Sequence, residues 1–86
     1  MCLRISEAQE LIRRAYYERD KVRGLYATFA WLVEEVGELA NALLANDRNN
    51  IEEEIADVFA WLLSVANLLN IDVEKAFLKK YNNQPP

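Results

Sequence analysis

Histidine is absent from the 86 residues, cysteine occurs once, and glycine and proline occur twice each. Each shortage excludes something. Without His the commonest general base and the commonest transition-metal ligand are missing, so any chemistry must come from carboxylates, lysines and arginines. The lone Cys2 can form no internal disulfide, and it supports neither zinc-finger spacing nor a Cys–His nucleophilic pair. Long apolar runs are missing as well. The longest, Val58 to Leu69, is interrupted by Ser64 and Asn67 and holds roughly twelve residues against the ~20 of a membrane-spanning helix. No N-terminal apolar stretch followed by small residues marks a secretory signal, so a cytoplasmic protein with no membrane partner is expected. The net charge of −4, from 14 acidic and 10 basic residues, argues against nucleic acid as a partner.

What is present is apolar and charged: 52% hydrophobic and 28% charged residues, the composition of one small helical domain over residues 1–86. A chain this short buries a modest core by itself and needs very good helix packing or a partner chain. Ser6 followed by Gln9 has the form of a capping box, and Ala8, Leu11, Ile12, Ala15 and Tyr16 follow at helical spacing, so a first helix is predicted from about Ser6 to about Val22. Arg23-Gly24 punctuates it. A second helix is predicted from near Ala27 to Ala45, and the polar cluster Asn46 to Asn50 reads as a loop. Asn50 with Glu53 opens a third helix reaching about Leu69, and Asp72 caps a short fourth through about Tyr81, with an extended or frayed tail from Asn82 to Pro86.

The short loop makes helices two and three an antiparallel hairpin, the centre of an all-α, four-helix chain. Helix three carries apolar residues nearly all the way round: Ile55, Val58, Phe59, Trp61, Leu62, Leu63, Val65, Leu68 and Leu69. One hairpin partner covers a stripe only somewhat wider than about 100°. The rest must be covered by helix one and a second copy, giving a bundle completed by homo-oligomerisation.

Charge is distributed unevenly. Arg13, Arg14, Arg19, Lys21 and Arg23 crowd the first quarter and Lys75, Lys79 and Lys80 the end, whereas Glu34, Glu35, Glu38, Glu52, Glu53, Glu54 and Asp57 occupy the middle. Glu35 and Glu38 are three apart, as are Glu54 and Asp57, so each pair shares a helix face. Helical counting aligns Thr28, Trp31, Glu35, Glu38 and Ala42 on helix two, and Asn50, Glu54, Asp57, Trp61 and Leu68 on helix three. Folding the hairpin about Arg48 brings Glu38 and Asp57 to the same height, with both Trp residues on the side away from the loop. The expectation is a four-carboxylate cluster beside an aromatic shelf. Like charges at that spacing repel, and a divalent cation reverses the sign. All-oxygen ligation selects hard cations, Mg²⁺ first and then Mn²⁺, and Mg²⁺ commonly meets phosphate oxygens too.

Glu-Glu-x-x-Glu at 34 to 38, a gap of fifteen residues, then Glu-x-x-Asp at 54 to 57 resembles the signature of the MazG-type, all-α nucleoside triphosphate pyrophosphohydrolases. A weaker likeness follows in Ile71-Asp72-Val73-Glu74 and Lys80-Tyr81-Asn82-Asn83. The resemblance implies Mg²⁺-dependent cleavage of a nucleoside triphosphate to the monophosphate and pyrophosphate, on a dimer or a dimer of dimers, in a nucleotide-pool cleaning role. It implies Glu35, Glu38, Glu54 and Asp57 as metal ligands and Glu34 or Glu35 as the group orienting the attacking water. Lys80 and Asn83 match the family's Lys-x-x-Asn pattern at the triphosphate, but Gln84-Pro85-Pro86 lacks the Arg that often follows. Arg or Lys from the basic first helix, or from a partner subunit, can substitute. Related phosphoribosyl-ATP pyrophosphohydrolases place a His after the second acidic motif, which this chain lacks.

Plainer readings stand beside these. An acidic pair is common on solvated helices, Trp31 and Trp61 serve core or dimer packing as readily as base stacking, and basic residues on helix one commonly form salt bridges. A non-catalytic nucleotide-binding or helical dimerisation module of the same fold is the alternative to an enzyme.

Overall fold

Four helices, and no strands, form among the described residues of the computed structural model, which are residues 2–82: α1 (Ile5–Arg23), α2 (Leu25–Ala45), α3 (Arg48–Leu68) and α4 (Val73–Tyr81). The helix count agrees with the sequence reading. The starts differ in ways that local chemistry explains. α1 begins slightly earlier than expected, because the Glu7 carboxylate accepts from the Arg4 backbone N–H at 2.8 Å, so Arg4 and Glu7, not Ser6 and Gln9, close its N-terminus. Gln9 is engaged elsewhere. Its amide nitrogen donates to Asn67 Oδ1 at 3.0 Å and to the Ile71 carbonyl at 2.7 Å, and its oxygen accepts from the Val73 N–H at 3.0 Å. One side chain thereby ties α1 to the α3–α4 junction.

Gly24 alone separates α1 from α2, at φ 96° and ψ 160°, a backbone region open essentially to glycine only. α2 therefore begins at Leu25, earlier than Ala27. At its other end Asn46 adopts the left-handed conformation (φ 55°), which Asn tolerates better than most residues. Asp47 then caps α3 by accepting from the Asn50 N–H at 3.3 Å. The expected loop of five residues is thus cut to Asn46 and Asp47, and Asn50 lies inside the helix. The Asp72 cap of α4 forms as read, accepting from the Lys75 N–H at 2.9 Å.

α2 and α3 form the main contact, and α1 packs chiefly on α3. On α2 the buried or half-buried positions include Thr28, Leu32, Glu35, Leu39 and Ala42; on α3 they include Ile51, Glu54, Val58, Trp61, Val65 and Leu68. Both series step by three and four, the spacing of a single helical stripe. The buried apolar core is small: Leu32, Ala42, Leu63 and Ala66. Phe29, Val33, Val36, Leu43 and Leu44 of α2, and Ile55, Phe59 and Leu62 of α3, stay exposed. The accessible surface of 6796 Å² exceeds the roughly 5,200 Å² of an average monomer of 10.0 kDa. The radius of gyration, 14.2 Å, likewise exceeds the ~12 Å scaling value for this length.

No single helix among the described residues is long and apolar enough to cross a membrane; α3 and α4 reach that length and apolarity only together, bent by 100° at their break. Gly37, inside α2, has open space where a Cβ would lie, so no close helix approach requires glycine there.

Candidate metal centre

The buried stripe of α2 passes through Glu35, and that of α3 through Glu54, so each helix places a carboxyl on the face it buries. Asp57, one turn after Glu54, stands at the exposed edge of the same contact. One carboxylate oxygen from each of Glu35, Glu54 and Asp57 lies within 4.8 Å of the other two. Sequence counting placed Glu38 with them. The packed face of α2 is instead the series Thr28, Leu32, Glu35, Leu39 and Ala42, rotated away from Glu38, which is exposed and outside this group. Glu38 still acts on the group through space, as one of the negative charges that hold back ionisation of Glu35. Glu34 is exposed and also lies outside the group.

The electrostatics of three converging carboxyls are unfavourable without a counter-charge. Partial burial, a hydrogen bond with Glu54, and the charges of Glu54, Asp57 and Glu38 push the Glu35 carboxyl up to about 7. Glu54 Oε2 is buried with no hydrogen-bond partner. A buried carboxylate oxygen without a donor carries a desolvation penalty that protein structures rarely tolerate. The donor set is oxygen only, as hard divalent cations require. The raised Glu35 carboxyl and the unpartnered Glu54 oxygen are two signs that the group fits such a cation.

The two indoles meet beside the carboxyls. Trp31 and Trp61 stack with centroids 5.9 Å apart and planes inclined by 15°, so the aromatic shelf expected from the sequence is a stacked pair. Trp31 is 45% exposed; Trp61 is half-buried. The Arg23 guanidinium lies 5.0 Å from the Trp61 ring centroid, its Nη1 2.7 Å from Asp20 Oδ1 and 3.4 Å from the Thr28 hydroxyl. Asp20 is 3% exposed and Thr28 fully buried. Sequence reasoning counted Arg23 only as one base of a basic helix; the available signal was its spacing of three from Asp20 immediately before a helix-ending glycine. Two other bases of α1, Arg13 and Arg14, are salt-bridged to Glu10, and Arg4, at the start of that helix, pairs with Glu74 of α4. Lys80 is exposed on α4 with its ammonium 5.5 Å from the Tyr81 ring centroid, and α4 packs on α1. Asn83 and the rest of the tail lie outside the described residues.

Two carboxyl-bearing stripes in contact, next to an aromatic pair with an exposed face, make an arrangement able to hold a cation against an anionic ligand that also carries a flat ring. The chain's similarity to known proteins agrees. No curated protein matches it significantly, whereas the family model of the MazG nucleotide pyrophosphohydrolase domain matches residues 23–86.

Proposed function

The chain belongs to the MazG nucleotide pyrophosphohydrolase domain family, and from that membership and the carboxyl geometry we propose that it is a Mg²⁺-dependent nucleoside triphosphate pyrophosphohydrolase, converting NTP or dNTP and water to the monophosphate and pyrophosphate. The observation that carries the reading is the convergence of Glu35, Glu54 and Asp57 within 4.8 Å across two packed helices. These three residues would hold the metal, with Glu38 a fourth carboxylate from the exposed side; Mn²⁺ suits the same donors. The chemistry a bound Mg²⁺ supplies is Lewis acidity toward phosphate oxygens and neutralisation of the leaving pyrophosphate.

The chain's own groups do the rest. A carboxylate, Glu35 or the adjacent Glu34, orients a water so that its oxygen bonds to the α-phosphorus. The bond from that phosphorus to the α–β bridging oxygen breaks, pyrophosphate leaves with the electron pair, and the water proton passes to the carboxylate and on to solvent. The open face of Trp31 receives the base, with Trp61 backing it. Lys80 and Asn83 serve the triphosphate in the family pattern. Rate acceleration in such a site comes mainly from positioning and electrostatics.

A homodimer, or a dimer of dimers, completes the bundle. The apolar residues of α2 and α3 that stay exposed supply the surface for that assembly. The surface beyond that of an average monomer, about 1,600 Å², matches what each partner buries in a large obligate interface. Light scattering should give at least twice the chain mass; a fully active monomer contradicts this part.

The deciding experiment titrates Mg²⁺ against a panel of ribo- and deoxyribonucleoside triphosphates and measures pyrophosphate release. Release with at least one triphosphate, lost on chelation, is expected. Tight binding with no release identifies a non-catalytic nucleotide-binding module instead.

A further inference from the structure

A cavity of about 220 Å³ opens between α1 and α3 beside the carboxyl group. Tyr16, Arg19, Asp20 and Arg23 line it from α1, and Asp57 and Trp61 from α3. Asp57 is therefore shared, facing the other two carboxyls on one side and this cavity on the other. Tyr16, Arg19 and Asp20 precede the residues matched by the family model, so this wall is not supplied by family membership.

The two arginines differ in how they are held. Arg23 is fixed by Asp20, by the Thr28 hydroxyl and by the Trp61 ring, so its planar fork is set before any ligand arrives and loses little freedom on binding. Arg19 lies over the Tyr16 ring, 4.9 Å from its centroid, with no ion-pair partner among the described residues. The charges of Arg19 and Arg23 balance those of Asp20 and Asp57 while the carboxyl group is free of cations. A divalent cation at Asp57 turns the same cavity positive. Its volume is below the about 300 Å³ at which whole small-molecule ligands begin to fit, so it suits one part of a substrate. Guanidinium forks match phosphate. A base is a poorer fit, because Trp61 is already covered by Arg23 and Trp31.

We infer that this cavity receives the terminal phosphates of the substrate, and hence the departing pyrophosphate, with Arg19 and Arg23 as the anion-binding residues and Asp57 coupling the cavity to the metal. The inference rests on the pyrophosphohydrolase reading and places the phosphate-binding arginines on α1.

Inorganic pyrophosphate is the probe, with binding to the full chain followed by calorimetry in the presence and absence of Mg²⁺. Wild type should bind at least about tenfold more weakly without Mg²⁺, and Arg19→Ala should weaken the Mg²⁺-supported binding at least about fivefold with no change in melting temperature. Arg23→Lys keeps the charge but loses the fork and the ring contact, and should weaken binding similarly. Wild-type affinity in both variants, or no pyrophosphate binding to wild type with Mg²⁺ present, overturns the inference. Triphosphate turnover measured in parallel separates it from its parent. Active wild type with both variants equally active removes only the arginine assignment, whereas wild type inactive on every triphosphate removes the pyrophosphohydrolase reading.

Discussion

Replacing Glu35 by Gln should stabilise the metal-free protein at alkaline pH and erase most of its pH dependence above pH 5. The Glu35 carboxyl, near 4.5 in an unfolded chain, is raised to about 7 in the fold. A raised carboxyl contributes stability that is complete below the unfolded value and is lost as pH rises through the folded one. Between pH 5 and pH 8 linkage gives an upper value of about 2.5 kcal/mol, and screening by the solvent that reaches this half-buried group reduces it to ~1–2 kcal/mol. For a domain of this size that is a fall in melting temperature of about 5–15 °C on going from pH 5 to pH 8. With no His in the sequence, few side chains titrate in that window. Thermal unfolding followed by circular dichroism in chelator would read the effect. Saturating Mg²⁺ at pH 8 should restore the lost stability, because the cation replaces the proton among the same oxygens. A metal-free wild type whose melting temperature is flat from pH 5 to pH 8, or a Glu35→Gln variant with the same slope as wild type, would refute the reasoning.

Other variants test other links. Asp57→Ala should lower Mg²⁺-dependent pyrophosphate release by more than about 100-fold while leaving helicity unchanged; full turnover would remove Asp57 from the site. Gln9→Ala should cost about 2–3 kcal/mol in urea unfolding, since it strips partners from the Asn67 amide and the Val73 N–H together. Gly24→Ala should cost about 1–3 kcal/mol although its Cβ would meet nothing within 4 Å, the whole penalty arising from backbone conformation. A near-neutral result there would mean that the α1–α2 corner relaxes freely.

Helix number and the Asp72 cap were legible because each follows from spacing within ten residues or so, and the meeting of the two acidic segments because they lie at similar distances from one short loop. The register of faces was not. Counting placed Trp31 and Glu38 on the packed stripe of α2, yet Leu32 and Leu39 occupy it, because a leucine is buried more cheaply than a second acid and packs more compactly than a large indole. That rotation of a fraction of a turn separates a four-carboxylate expectation from the three that converge. Caps failed for a related reason. Gln9 fits a local box, but its amide reaches Asn67 and Ile71, 58 and 62 residues away, and such competition leaves no local trace. The cavity at Arg19 and Arg23 was only partly legible: the Asp20 clamp on Arg23 is a spacing of three within α1, whereas the Trp61 contact exists only once α1 lies on α3.

The stacked Trp31–Trp61 pair accounts for every tryptophan in the chain. Light absorbed at the red edge of the near-ultraviolet band, where tyrosine does not compete, is therefore taken up only beside the carboxyls. Two indoles at 5.9 Å and nearly parallel share their excitation, so their emission and their coupled circular dichroism depend on mutual orientation. The protein thus carries an intrinsic optical probe at its own candidate site, with Arg23 against one ring as a nearby charge. Metal uptake, pyrophosphate arrival and displacement of the guanidinium should each shift that signal differently, and binding can be followed without attaching a dye or introducing a reporter residue.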